Sequence, residues 1–305
     1  MIAPLSLFAS PWSVLTVNGP DAAAWLNGIV TCDTKLVVEG QGAWGLLLTK
    51  TGKIQAELQL VGGSSLLWMA VSGGSAGEVK SSLERYLVME DAELSEAPEL
   101  RFVCFYGRGA REFADELRDV LARDAKGPAR SGEGAKPTSA SMPWAIGSAA
   151  MVVQAQDLEA LVAKAVSMGA TDLGAADALG ALDQLRVVAG LPLYGVDFGA
   201  RDNPHEASLD RRAVSWSKGC YLGQEVVCMQ DMRGKVKRRL VRLDGHAVGW
   251  QPQSAVHSLD GTEVGKVTTV AGNRALASVV APWFEPQQEL RVLGHPVSVS
   301  PLDPT

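Results

Sequence analysis

Apolar residues recur at strand spacing and helix spacing in turn through the first part of the chain, and after Lys235 only the strand spacing remains. That change of period excludes a helical bundle and an all-β protein alike. It calls for sheets covered by helices, followed by a smaller β unit. Val14 to Val17 reads as a strand, and Gly19-Pro20 opens a helix with Ala22, Trp25, Leu26 and Ile29 on one face. Ala43 to Leu48 is a buried run and Thr51-Gly52-Lys53 a turn. Ile54, Ala56, Leu58 and Leu60 then alternate with polar partners as in a half-buried strand. Ser65 to Val71 adds a strand, and Val79, Leu83, Tyr86 and Leu87 mark a second amphipathic helix.

The alternation then repeats. A strand runs through Cys104, and Phe113, Leu117, Val120 and Leu121 form a helix face. Gly127 to Ser141, rich in Gly, Pro, Ser and charge, reads as an exposed loop. Met151 to Val153 is a strand, Leu158, Leu161, Val162 and Ala165 belong to a helix ending near Gly169, and another helix precedes Gly190. Beyond Lys235, short strands are expected at Arg239 to Leu243, Gly261 to Thr269, Ala275 to Val280 and Leu290 to Val299, as in a small barrel. The expected domains are therefore an α+β unit over 1–95, a second over 96–234, and a β-barrel over 235–305.

At 305 residues the chain is long enough for two or three cores. The net charge of −6 argues against a dedicated nucleic-acid binder. No apolar run is long enough for a membrane span, and MIAPLSLFASPWSVL has no basic segment ahead of its apolar residues, so a cytoplasmic protein is expected. Cys32, Cys104, Cys220 and Cys228 are too sparse for a disulfide framework. None forms a CxxC or pairs with histidine at metal-site spacing, so reduced thiols and no metal site are expected.

Between Arg186 and Arg242 simple periodicity stops, as it does in functional segments. LRVVAGLPLYGVDF comes first, then Pro204-His205-Glu206, Lys218-Gly219-Cys220-Tyr221-Leu222-Gly223-Gln224-Glu225, and the run Arg233-Gly234-Lys235-Val236-Lys237-Arg238-Arg239. Cys220 follows a lysine by two residues and sits beside Gly219, which suits an approachable thiol; a small buried hydrophobe is the alternative. Cys228 reads as packing. Gln224 and Glu225 can meet the donor and acceptor edge of a heteroaromatic ring, or simply begin a helix. Arg233, Lys235, Lys237, Arg238, Arg239 and Arg242 put six cations in ten residues, suited to a polyanionic tail or weak RNA contact, or to a solvated strand face. Arg186, Tyr194 and Asp197 read structurally as a helix surface, a core edge and a cap.

KGCYLGQE, with Val214-Ser215-Trp216 before it and Arg233-Gly234 after, resembles the signature of the YgfZ family of folate-binding proteins. VNGPDAAAWLNGIVTCD, LTKTGKIQAELQL and GTEVGKVTTV are similar to that family's N-terminal helix segment, glycine-turn hairpin and barrel strands, so the likeness spans nearly the whole chain. The resemblance implies the three-domain α+β clover leaf of the glycine cleavage T-protein superfamily, with a central folate channel. It implies a tetrahydrofolate-binding accessory protein that supports assembly or maintenance of iron–sulfur clusters in client enzymes, including those that modify transfer RNA. On matched letters, Cys220 becomes a functional, redox-capable thiol, and Lys218, Tyr221, Gln224, Glu225, Arg233, Arg186, Tyr194 and Asp197 become cofactor-binding residues. Its partners would be iron–sulfur assembly proteins or client enzymes. The alternative is a folate-dependent aminomethyltransferase. That chemistry is not expected, because Ala56-Glu57 and Val188 stand where such enzymes carry paired acids and a further acid. Met229 also stands where the subfamily often has arginine.

Overall fold

The structure is a computed structural model that describes residues 4–63, 66–124, 137–144, 148–175, 180–286 and 288–302. In chain order its first strands and helices are β1 (Ser6–Ala9), β2 (Ser13–Asn18), α1 (Ala22–Asn27), β3 (Gly42–Leu48), β4 (Ile54–Gly62), β5 (Leu66–Val71) and α2 (Ala76–Glu84). Then come β6 (Glu93–Glu96), β7 (Leu100–Tyr106), α3 (Ala110–Asp124), β8 (Thr138–Ser141), β9 (Ala149–Gln154), α4 (Leu158–Ser167) and β10 (Thr171–Asp172). After α5 (Ala181–Ala189) and α6 (Gln224–Arg233) the chain is all strand: β11 (Arg238–Gly245), β12 (Ala255–Ser258), β13 (Glu263–Ala271), β14 (Arg274–Val280), β15 (Glu289–Val292) and β16 (His295–Pro301).

Two compact units emerge, and neither is one continuous stretch. The first comprises residues 1–47, 56–179 and 217–221; the second comprises 48–55, 180–216 and 222–305. The first unit contains two five-stranded sheets, ordered β3-β4-β5-β2-β6 and β10-β1-β7-β9-β8. The second contains the closed barrel β11-β14-β13-β12-β15-β16. The expected α+β architecture with a C-terminal barrel is thus present.

In the first unit, α3 and α4 cover the second sheet with Phe113, Ala114, Leu117, Leu161 and Ala165, packed on Leu7, Val103, Phe105 and Met151. These side chains sit at the helical spacing legible in the sequence. Strand β4 departs from its expected half-burial, because both of its faces are covered. Glu57 and Gln59 stay inside because tryptophan N–H groups bond them: Trp44 Nε1 donates to Glu57 Oε1 at 2.9 Å and Trp144 Nε1 to Gln59 Oε1 at 2.7 Å. The expected loop 127–141 is also revised at its end, where Thr138–Ser141 pairs with β9 and buries Ser139 and Ala140. Positions 127–136 of that loop lie outside the described residues.

In the second unit, Val241, Leu243, Val256, Val267, Ala277, Val279, Leu290 and Val299 fill the barrel. The run Leu290 to Val299, read as one strand, is two. Leu293 and Gly294 take φ of 50° and 81°, the doubly left-handed turn that suits a two-residue hairpin. Helix α5 lies against β13 and ends at Gly190, whose φ of 63° provides the left-handed cap.

Candidate functional site

In the first unit, residues 217–221 carry the front half of the motif. The Lys218 ammonium donates to the carbonyls of Asn27 at 2.6 Å, Val30 at 2.5 Å and Cys32 at 2.8 Å. These acceptors are the last carbonyl of α1 and two in the chain that follows it, so the lysine acts as a tether for the motif loop. It also lies 5.1 Å from the centre of the Tyr221 ring. Burial lowers its pKa to about 8, with the Cys32 and Asp33 charges acting the other way. All three of its protons are thus directed to backbone oxygens. Tyr221 is buried, whereas Cys220 is exposed. Cys32 and Cys104 are buried and Cys228 is half-buried on α6, so of the four thiols Cys220 is the most exposed.

In the second unit, Gly223 caps α6, with Gln224 and Glu225 in the first turn and Arg233 in the last. Both charges complement the helix dipole, so the helix-start reading of Gln224-Glu225 holds structurally. Glu225 is exposed. Gly223 takes a φ of +79°, and a Cβ there would stand 2.5 Å from the carbonyl oxygen of Thr49 in the hairpin tip. Gly223→Ala is therefore expected to destabilise the chain by about 2 kcal/mol or more through combined backbone strain and overlap. A urea-unfolding midpoint indistinguishable from the parent would contradict that contact.

From the last residue of α6 into β11 the cationic run divides. Arg238 pairs with Asp202 at 2.6 Å, Arg239 with Asp210 at 3.0 Å and Arg242 with Asp244 at 3.1 Å. Among the described residues Arg233, Lys235 and Lys237 form no ion pair, and they line a groove of about 340 Å³ with Lys53, Glu206 and Met229. Lys53 reaches Glu206 at 3.1 Å, and the Asn203 backbone N–H donates to the same carboxylate oxygen at 3.0 Å. Lys53 was legible only as a turn residue. Its place beside Glu206, 153 positions away, has no local sequence signal.

Arg186 and Asp197 are buried and held to each other. Arg186 Nη1 donates to Asp197 Oδ2 at 2.8 Å, and Asp197 also accepts from the Leu193 N–H at 2.9 Å and the Thr268 and Thr269 hydroxyls at 2.6 and 2.7 Å. Desolvation lowers the Arg186 pKa, but the Asp197 and Asp183 carboxylates outweigh it and leave the guanidinium raised and charged. The structure thus corrects the picture of Arg186 as a helix-surface residue. The bonds that Arg186 and Asp197 make are directed to each other and to neighbouring groups of the second unit. Tyr194 is half-buried, edge-on to Phe198 at 5.5 Å.

Residues 237–304 match the family described as the CAF17 C-terminal beta-barrel domain. An aminomethyltransferase of Herpetosiphon aurantiacus is 29% identical over 268 residues, covering 83% of this chain and 70% of its own length. The tRNA-modifying protein YgfZ of Escherichia coli is 25% identical over 251 residues, covering 80% and 73%. YgfZ of Colwellia psychrerythraea is 24% identical over 242 residues, covering 77% and 70%. The chain is a relative of YgfZ and of the aminomethyltransferases. The crystal structure of a glycine cleavage system aminomethyltransferase T from Bartonella henselae superposes with a TM-score of 0.73 at 21% identity, over 99% of this chain and 87% of that one, and so shares its fold.

At the positions where this YgfZ-like chain departs from the transferase pattern, the structure is explicit. Glu57 is buried and bonded to Trp44 and Gln59, and Val188 is 41% exposed hydrocarbon. Neither offers a free carboxylate. Met229, in place of the arginine expected from the subfamily, is exposed at the groove.

Proposed function

We propose that the protein is a tetrahydrofolate-binding accessory factor that supports assembly or maintenance of iron–sulfur clusters in client enzymes, with Cys220 as its working thiol. The observation that carries this reading is the presentation of Cys220: an exposed sulfur on a loop tethered two residues earlier by Lys218, in a chain whose other described thiols are covered wholly or in part. A single thiol supplies one of the four ligands a cluster normally takes, so the partner is an assembly protein or client enzyme that provides the others. The groove lined by Arg233, Lys235 and Lys237 fits the carboxylates of a folate glutamate tail, which a folate, when bound, would place against cations. Gln224, Glu225 and Tyr194, all in the second unit, belong to the proposed pterin-facing set, and Arg186 and Asp197 position the segment that carries Tyr194. The domain limits 1–95, 96–234 and 235–305 are proposed as the functional division.

RNA contact through 233–242 is proposed as weak, because half of those cations are taken up in ion pairs. The aminomethyltransferase alternative is favoured by the 29% identical relative, but it needs carboxylates that Glu57 and Val188 do not offer.

The test has two arms. Arg233→Glu/Lys235→Glu is expected to weaken tetrahydrofolate binding about a hundredfold or more, since each of the two lost charge-assisted bonds is worth on the order of 1.5–3 kcal/mol. Cys220→Ser is expected to retain folate affinity and the parent melting temperature while failing to restore iron–sulfur enzyme activity in cells lacking the native copy. Full restoration by Cys220→Ser would remove the thiol from the mechanism, and unchanged affinity of the charge-reversed protein would remove the groove.

A further inference from the structure

His205 is 1% exposed, and neither of its ring nitrogens has a hydrogen-bond partner. A buried imidazole left unbonded forfeits the hydrogen bonds that water would give it, so the arrangement is suited to something that bonds it. Two carboxylates face it. Asp210, also 1% exposed, gives Oδ2 to Arg239 at 3.0 Å, while its Oδ1 is enclosed with no partner. Asp231, at the C-terminal end of α6, is about one-third exposed and places Oδ1 3.5 Å from His205 Nε2. One ligand atom from each of the three residues lies within 4.8 Å of the others.

The His205–Asp231 pair is separated by 3.5 Å. That distance is long for a hydrogen bond. It matches the edge of a tetrahedron, about 3.4 Å, when ligands stand about 2.1 Å from a metal ion. We propose that His205, Asp210 and Asp231 bind one first-row divalent transition-metal ion. One imidazole and two carboxylates form a borderline donor set of the kind that takes zinc, iron(II) or manganese. Arg239 fixes Asp210 from the far side, as outer-shell partners do for ligating carboxylates. The exposed edge of Asp231 gives an entry path. Arg211 is the competitor: its guanidinium lies 3.4 Å from Asp231 Oδ1 and 3.6 Å from Asp210 Oδ2, more than half exposed and 5.7 Å from the Trp216 ring centre. An arriving ion displaces it towards solvent. The three ligands span 26 positions without a compact spacing motif, which is why no metal site was legible in the chain. The inference stands independently of folate binding.

Zinc is the probe, used on the full chain carrying Cys220→Ser so that the exposed thiol does not compete, after stripping with chelator. One equivalent is expected to bind and raise the melting temperature. Asp231→Asn and His205→Ala are expected to lose affinity by about tenfold or more. Arg211→Ala is expected to gain affinity, because the displaced cation is gone. Absence of a zinc-dependent rise in melting temperature, or equal affinity in parent and Asp231→Asn, would overturn the site. Should His205→Ala not fold, Asp231→Asn and Arg211→Ala, both at partly exposed positions, carry the test alone.

Discussion

Asp197→Ala is expected to cost about 3–5 kcal/mol of unfolding free energy, the range for breaking a buried ion pair by removing one partner. The carboxylate side chain has no exposed surface and accepts four hydrogen bonds, from Arg186, the Leu193 backbone and the hydroxyls of Thr268 and Thr269. Alanine removes all four acceptor contacts. It leaves a guanidinium whose remaining carboxylate partner, Asp183, is nearly half exposed. The partners come from α5, the loop after it and barrel strand β13, so the loss falls on the packing of the second unit. Urea unfolding followed by tryptophan fluorescence measures it. A loss below about 1 kcal/mol would mean that the pair is replaceable, as some buried pairs are by hydrocarbon of similar volume.

Stability is expected to fall steeply in alkali, with an onset near pH 9. Burial pushes the Cys32 thiol from 9.0 up to about 12, and burial raises Cys104 as well. A thiol whose folded pKa lies above its unfolded one adds stability that is complete below about pH 9 and is lost as pH rises towards the folded value. Over that window the unfolded chain has released protons that the folded chain still holds. Each such thiol contributes a slope of about 1.4 kcal/mol per pH unit, so the pair contributes about 2.7. Lys218 works in the opposite direction between pH 8 and 10.5, since its folded pKa is depressed, and solvent screening moderates its share. Urea melts between pH 8 and 11 should therefore show a shallow plateau and then a decline. Cys32→Ala/Cys104→Ala is expected to flatten the decline, and persistence of the full slope in that variant would rule out the thiols as its source.

Much of the architecture was readable from periodicity because single faces were in question: Trp25 and Leu26 on α1, Phe113 and Leu117 on α3, and the alternating barrel strands all bury what their spacing predicts. Periodicity misread β4, because an alternating polar residue marks a solvent face only when no indole N–H waits to bond it, as Trp44 and Trp144 do for Glu57 and Gln59. The site was legible in part. Matched letters led to Cys220, and its exposure is local. The fate of Lys218 was not legible, since its partners are carbonyls about 190 positions upstream that carry no side-chain signature. For the same reason the cationic run read as six equal charges, although aspartates at 202, 210 and 244 neutralise three of them.

The Lys218 tether also bears on synthesis. The carbonyls of Asn27, Val30 and Cys32 leave the ribosome 186–191 residues ahead of the ammonium that satisfies them, an interval of about 10–40 s at ordinary elongation rates. Throughout that interval the nascent N-terminal sheets lack their last fastening.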